Sequence, residues 1–385
     1  MYKSELEKIY FKALHKVKAT SLIKDNISVD ENIITIVEND YVLKQDTRFF
    51  VFGAGKAAFD MAKECEVILK DKISGGVVIS TSTGDLQYAK HFTSTHPLVS
   101  DKSIKAAELL VEGVQQLTEN DVFVFLLSGG ASAMIEKPIE GLTLDDFTKI
   151  SSALLTSGID IKALNTVRKS ISQIKGGKLA NHIKAKGEVL VLSDVIGDDL
   201  HTIGSAPMNN GKFPHHIIGN NEIALQEAKM YMSSKVEIAD IVTTTLETDS
   251  ENATLFISDK IKEYDKQYNS FCLLFGGETT TVVSGNGYGG RNQELALRLL
   301  LTDCVTENIS ILSAGSDGID GRSEATGAYI DINSYEKIKN KKLDPQAYLK
   351  NSDSNTFFKK IGDDFVTGIS GTNVMDFIII VKNKR

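Results

Sequence analysis

The chain has 385 residues, with 43 basic against 51 acidic side chains, a formal net charge of −8, and 42% hydrophobic and 24% charged residues. That length can bury two hydrophobic cores, the composition is that of an ordinary soluble protein, and the acidic balance argues against nucleic acid as a main partner. No apolar run approaches the roughly 20 residues of a membrane span and no signal peptide is evident at the start, so no membrane partner and a cytoplasmic location are expected. Cys65, Cys272 and Cys304 lie far apart without a CxxC, which fits reduced thiols.

In chain order, an amphipathic helix at the start precedes a two-part strand region at Asn26–Glu38 and Tyr41–Leu43, then a first core strand at Arg48–Phe52. A helix over Lys56–Lys70, a strand over Gly75–Ser80, a helix over 101–117 and the continuous apolar strand Val122–Leu127 follow. Leu144–Ser157 and Ile161–Ser172 read as helices, Glu188–Ser193 as a strand and Asn220–Ser233 as a helix. This rhythm is that of βαβ units on a mostly parallel sheet. A second series has strands at Asp240–Leu246, Ser270–Phe275, Ile309–Ala314 and Phe377–Lys382, with helices at Asn252–Tyr264 and Asn292–Leu300. The fold class is therefore α/β with two domains: a Rossmann-like α/β/α domain over residues 1–240 and a smaller α/β domain over 265–385.

Six glycine-rich turns follow or lead into these elements, and such turns present backbone N–H groups to anions. The first, VFGAGKAA, carries Gly53, Gly55 and Ala58 in the dinucleotide pattern GxGxx[GA]. The acidic residue that would read a ribose near Ser80 is absent, and Lys56 interrupts the pattern with a cation suited to a phosphoryl or carboxylate oxygen. A nicotinamide site and a solvent-facing lysine stay open as alternatives. GxxxxGK[ST] and GxSxG are absent, and no histidine or cysteine cluster suggests zinc. LSGGAS offers another cradle, with Gly129 and Gly130 between Ser128 and Ser132, although capping serines on a plain strand–helix turn would look the same. Asn165, Arg168 and Ser172 share a helix face ahead of Lys175, Gly176, Gly177 and Lys178, which suits a phosphate or carboxylate grip or a solvated face. Asp194, Asp198 and Asp199 around Gly197 suit Mg²⁺, an oriented nucleophile or simple helix capping. Farther on come Glu278 and Thr279 after Gly276-Gly277, Arg291 after Gly289-Gly290 as a phosphate clamp, Asp317 and Asp320 on a strand-end turn, and Thr372 and Asn373 in GISGTNVMD.

Taken together, GAGKAA, LLSGGASA, LNTVRKSISQIKGGKLA, LSDVIGDDLHTIGSAP, GGETTTVV, GGRNQELAL, AGSDGIDG and SGTNVMD resemble, in order and almost end to end, the glycerate 2-kinase family, with its DUF4147 and MOFRL domains. Some relatives carry the label hydroxypyruvate reductase. The resemblance implies transfer of the ATP γ-phosphate to the 2-hydroxyl of D-glycerate, with Mg²⁺, between the two domains of a monomer or homodimer. It implies catalysis by Lys56 and Arg291, with Asp194 as metal ligand or orienting base. The nucleotide would take Gly53, Gly55, Ser128, Gly129, Gly130, Ser132, Lys175, Lys178, Glu278, Thr279, Asp317 and Asn373. The acid would take Arg168, for its carboxylate, and Asp198. Kinases of a related hydroxy acid and an NAD(P)-dependent reductase are the alternatives. The chain departs from the family pattern at Ala131, at Val99 and Ser100 within HPLVSDK, at Ala206, and at Arg322 and Glu324, where relatives carry a proline and an aspartate.

Overall fold

Val122–Ser128 (VFVFLLS) is buried along its whole length, as a strand covered on both faces must be. The computed structural model that contains it describes residues 2–157 and 161–384. Packing divides the chain into two compact units, Lys18–Gly219 and a second made of Met1–Val17 with Asn220–Arg385. Helix α1 (Tyr2–Lys16) thus joins the C-terminal half, whereas the sequence reading ran its first domain from residue 1 to 240. The reason is local: α1 packs on the helix after residue 220 and on central strands of the second sheet, and the buried Tyr10 hydroxyl donates to the Gly315 carbonyl at 2.8 Å.

In the unit of residues 18–219, α2 (Ala19–Asn26) leads into a small antiparallel sheet of β1 (Ile27–Asp30), β2 (Ile33–Ile36) and β3 (Asn39–Val42). The main sheet takes β4 (Phe49–Ala54), β5 (Ile73–Gly75), β6 (Val77–Ser80), β7 (Lys90–Thr93), β8 (Val122–Ser128), β9 (Lys186–Leu192) and β10 (His215–Gly219). Its order is β10-β9-β8-β4-β6-β7, with short β5 beside β4, and every pairing is parallel. This is the two-halved Rossmann order, whose direction reverses between β4 and β8. Helices α3 (Ala58–Leu69), α4 (Asp101–Gln115), α5 (Ala131–Met134), α6 (Leu144–Thr156) and α7 (Ile161–Ser170) complete the unit. Helix α4 starts on a Ser100–Ser103 capping box, which settles its orphan N–H groups. Its apolar face, including Ala107, Leu110 and Val114, packs with Phe52, Phe123 and Val191 in one core.

In the other unit, α8 (Asn221–Met232), β11 (Ile238–Leu246), α9 (Ser250–Gln267), β12 (Phe271–Gly277), α10 (Arg291–Leu300), β13 (Ile309–Gly315) and β14 (Gly327–Ile330) come first. Then follow α11 (Ile332–Lys341), α12 (Pro345–Lys350), α13 (Ser354–Ile361), β15 (Asp364–Phe365) and β16 (Asp376–Lys382). The sheet order is β11-β12-β16-β13-β14-β15, and only the β11–β12 pair is parallel. The tail strand β16 therefore enters the middle of the sheet, between β12 and β13, so its apolar residues Phe377–Val381 belong to the core rather than to an edge.

Candidate active site

The turns after β4, β8 and β9 meet at the carboxyl edge of three adjacent strands. The Lys56 N–H donates to the Gly129 carbonyl at 2.9 Å and the Ala57 N–H to Ser128 Oγ at 3.0 Å, so GAGKAA and LSGGAS are laced together. Glycine is required at the contact: Gly55 has φ +132°, and a Cβ there would lie 2.3 Å from Ser128 Oγ. A Cβ on Gly129 would fall 1.7 Å from Asp194 Oδ2, which places the Asp194 carboxylate directly over the second turn. Burial pushes the Asp194 carboxyl up from its ordinary range, and the Lys56 charge pulls it back. The Lys56 side chain is exposed, and no described residue hydrogen-bonds its ammonium. A lone cation and a half-buried carboxylate thus share the switch point where this sheet order places ligands.

Beside that edge lies a cavity of about 280 Å³, lined among others by His96, Gly130, Ser132, Phe147, Arg168 and Lys175. Arg168, on α7, has its Nε buried with no hydrogen-bond partner among the described residues. Burial lowers its pKa, opposed by the charge of Glu136. Lys175 is buried beneath, ion-paired to the equally buried Glu136 and 5.4 Å from the Phe147 ring centroid. Its positive charge is therefore spent inside the protein. Lys178 donates to the carbonyls of Lys169 (2.8 Å) and Ser172 (2.5 Å), tying off the end of α7. Ser132 Oγ shares a hydrogen bond with Ser205 Oγ at 2.7 Å. Gly53 is buried within β4, and Asp198 sits in the left-handed region with φ +55°.

In the C-terminal unit, Arg291 opens α10 and is gripped from two sides. Its Nε and Nη2 donate to Asp376 Oδ2 and Oδ1 at 2.6 and 3.0 Å, and Nη1 lies 2.7 Å from Glu278 Oε1. Asp376 is buried, and desolvation raises its pKa against the pull of Arg291. Behind them, the Asp320 carboxylate accepts the N–H groups of Asn292 (3.0 Å) and Gln293 (2.8 Å) in the first turn of α10. Thr279, Arg291 and Arg322 line a cavity of about 440 Å³ with Glu278. Asp317 and Asn373 hold turns: Asp317 Oδ1 accepts the Ile319 N–H at 3.2 Å and Asn373 Oδ1 the Met375 N–H at 3.0 Å.

Sequence reasoning did not single out Glu136, Asp376 or His96 as site residues. Asp376 ends the quoted SGTNVMD motif and so was within reach, whereas Glu136 stands in no glycine turn and gave no signal. Burial and the Lys56 charge lower the His96 pKa.

A parallel sheet of this order, with a cation and two glycine turns at its switch point, defines a doubly wound protein built to receive an anionic ligand. The family model described as "Domain of unknown function (DUF4147)" matches residues 5–217, and that of the MOFRL family matches residues 271–376. The chain belongs to this glycerate 2-kinase family. It is 37% identical to the D-glycerate 2-kinase of Thermotoga maritima, over 93% of this chain and 98% of that protein. It is 33% identical to a glycerate 2-kinase of Pyrococcus horikoshii, over 93% and 92% of the two chains. The crystal structure of a Thermotoga maritima glycerate kinase superposes with a TM-score of 0.89 at 34% identity, covering 99% of both chains. No helix among the described residues is long and apolar enough to cross a membrane.

Proposed function

We propose that this chain transfers the γ-phosphoryl group of ATP to the 2-hydroxyl of D-glycerate, giving 2-phospho-D-glycerate and ADP. The observation that carries the reading is the buried, unpartnered Nε of Arg168 in a cavity of about 280 Å³ beside Lys56. Drug-sized ligands occupy pockets of roughly 300–1,000 Å³. A cavity at the foot of that range suits a small acid, while a nucleotide needs the open edge formed by the glycine turns. Arg168 gives a carboxylate the planar donor that such a ligand calls for.

In this reading the Lys56 ammonium and the N–H groups of the SGGAS turn take the charge on the transferring phosphoryl group. Phosphoryl transfer asks for positioning and electrostatics rather than covalent chemistry from the protein. In the C-terminal unit Arg291, held by Asp376 and Glu278, presents a rigid cation at the cavity of its own unit. His96 lines the acid cavity, within reach of a substrate hydroxyl. Among the described residues no group of three or more acidic, histidine or cysteine side chains could hold a metal. That fits Mg²⁺ arriving with the nucleotide phosphates, since it keeps waters and needs one or two carboxylates. Asp194 would hold it, and the ion would neutralise charge between the phosphates. The three buried, unpaired cysteines support a cytoplasmic location.

A nicotinamide-dependent reductase is the rival chemistry. The strand that should end on a ribose-reading carboxylate ends on Ser80, buried and hydrogen-bonded to His91 Nε2 at 2.9 Å. The test is to incubate the protein with D-glycerate, ATP and Mg²⁺ and resolve the products by ³¹P NMR, with NADH and hydroxypyruvate in a parallel assay. A 2-phosphoglycerate signal is expected. NADH oxidation without a phosphorylated product would contradict the proposal.

A further inference from the structure

Beyond the reaction centre, we infer that the C-terminal unit carries a second anion site around Arg322, which takes a phosphate-type dianion. A cavity of about 650 Å³ is lined by Tyr288, Arg322, Glu324, Asn355, Lys359 and Lys360. Three cations face one carboxylate. Glu324 lies 3.6 Å from Lys359, but both side chains are well exposed, and such a pair compensates charge weakly. Lys360 donates to the Tyr348 hydroxyl at 2.7 Å, which orients the ammonium without an ion pair. Arg322 is fixed through its main chain, whose N–H donates to the Gly289 carbonyl at 3.0 Å. No described residue pairs with its guanidinium.

A second, independent observation points to a ligand. Asn355 is only 5% exposed, and its Nδ2 is buried without a hydrogen-bond partner among the described residues. Leaving a buried donor unpaired is costly, so native proteins rarely do it without cause. A water could satisfy the amide but would leave the cations uncompensated. A phosphate group answers both needs: its oxygens accept from the Asn355 amide and bidentately from Arg322, and its charge meets the lysines.

Gly321 and Arg322 also line the cavity at Arg291, so an anion bound here lies next to that residue. The dianion could belong to a nucleotide extending from the Arg291 cavity or to a separate phosphorylated small molecule.

Calorimetric titration of pyrophosphate into the full chain separates these cases. It needs no turnover, so it stands even if the chain fails to phosphorylate glycerate. Wild type should show a binding component that Arg322→Ala/Lys359→Ala weakens by at least about tenfold, a change of ~1.4 kcal/mol. Asn355→Leu, which removes only the amide, should weaken the same component. If a non-hydrolysable ATP analogue abolishes that component and the double variant binds the analogue less tightly, the dianion is the nucleotide's. If pyrophosphate binds equally well with the analogue present, the ligand is a separate molecule. Identical titrations for wild type and both variants would overturn the site.

Discussion

Lys56 and Arg291 come from the same kind of sequence, a glycine turn running into a helix, yet their surroundings treat them in opposite ways. Lys56 is exposed, and its ammonium has no hydrogen-bond partner among the described residues. The Arg291 guanidinium is forked onto Asp376 and closed from the third side by Glu278. Under the proposed function the two environments suit different tasks. A cation that must follow a phosphoryl group through transfer gains from being uncommitted, whereas one that forms a fixed wall gains from being preorganised. Arginine, with its planar fork, suits the second task, and lysine, a point charge on a flexible stem, suits the first.

The contrast can be broken most forcefully at Arg291. Replacing it with alanine strands Asp376, which is 2% exposed, without its partner. Removing one member of a buried pair costs about 3–5 kcal/mol, and because Arg291 is itself partly exposed the expected loss lies at the lower end, near ~3 kcal/mol. Urea denaturation should report that loss, and activity should fall with it. Lys56→Ala should do the reverse. Its stability should stay within about 0.5 kcal/mol of wild type, as for most surface changes. Its kcat should drop roughly 10²–10³-fold, as when one transition-state donor is removed. Steady-state kinetics beside denaturation curves would expose an account that had the two roles interchanged.

A pH-dependent effect sharpens the Arg291 side. Burial, only partly offset by the Gln293 and Asn292 N–H groups, raises Asp320 from 3.8 to about 7. A carboxyl whose folded pKa is raised favours the folded state in its protonated form. Its contribution is therefore complete below about pH 4 and is lost as the pH rises through about 7. At ~1.4 kcal/mol for each pKa unit, the decline amounts to a few kcal/mol at most. Unfolding midpoints of wild type and Asp320→Asn between pH 4.5 and 8 should converge at one end and separate at the other; parallel curves would remove Asp320 as their source.

Much of this was readable beforehand because glycine leaves a strong mark. The GAGKAA and LSGGAS turns need glycine where Gly55 meets Ser128 and where Gly129 lies under Asp194, so their spacing in the sequence reports contact in space. Buried parallel strands such as Val122–Ser128 announce themselves as unbroken apolar runs. What stayed hidden depends on partners distant in sequence. Nothing near Lys175 signals that Glu136, 39 residues earlier, absorbs its charge. Asp376 grips Arg291 across 85 residues. The short polar strands β7 (KHFT) and β10 (HHIIG) are made by their neighbours in the sheet rather than by propensity. Helix α1 looks like any amphipathic helix, and only its packing on α8, β13 and β16 assigns it to the C-terminal unit.

The central claim is that Arg168 keeps a buried donor free for the carboxylate of a small acid, and direct binding tests it best. Calorimetric titrations of D-glycerate and of its uncharged amide should show wild type binding the acid at least about tenfold more tightly, the worth of one charge-assisted hydrogen bond. Arg168→Ala should bring the two ligands to similar, weak affinity. A variant that still prefers the acid as strongly as wild type would contradict the assignment of Arg168 and the reading of the cavity built on it.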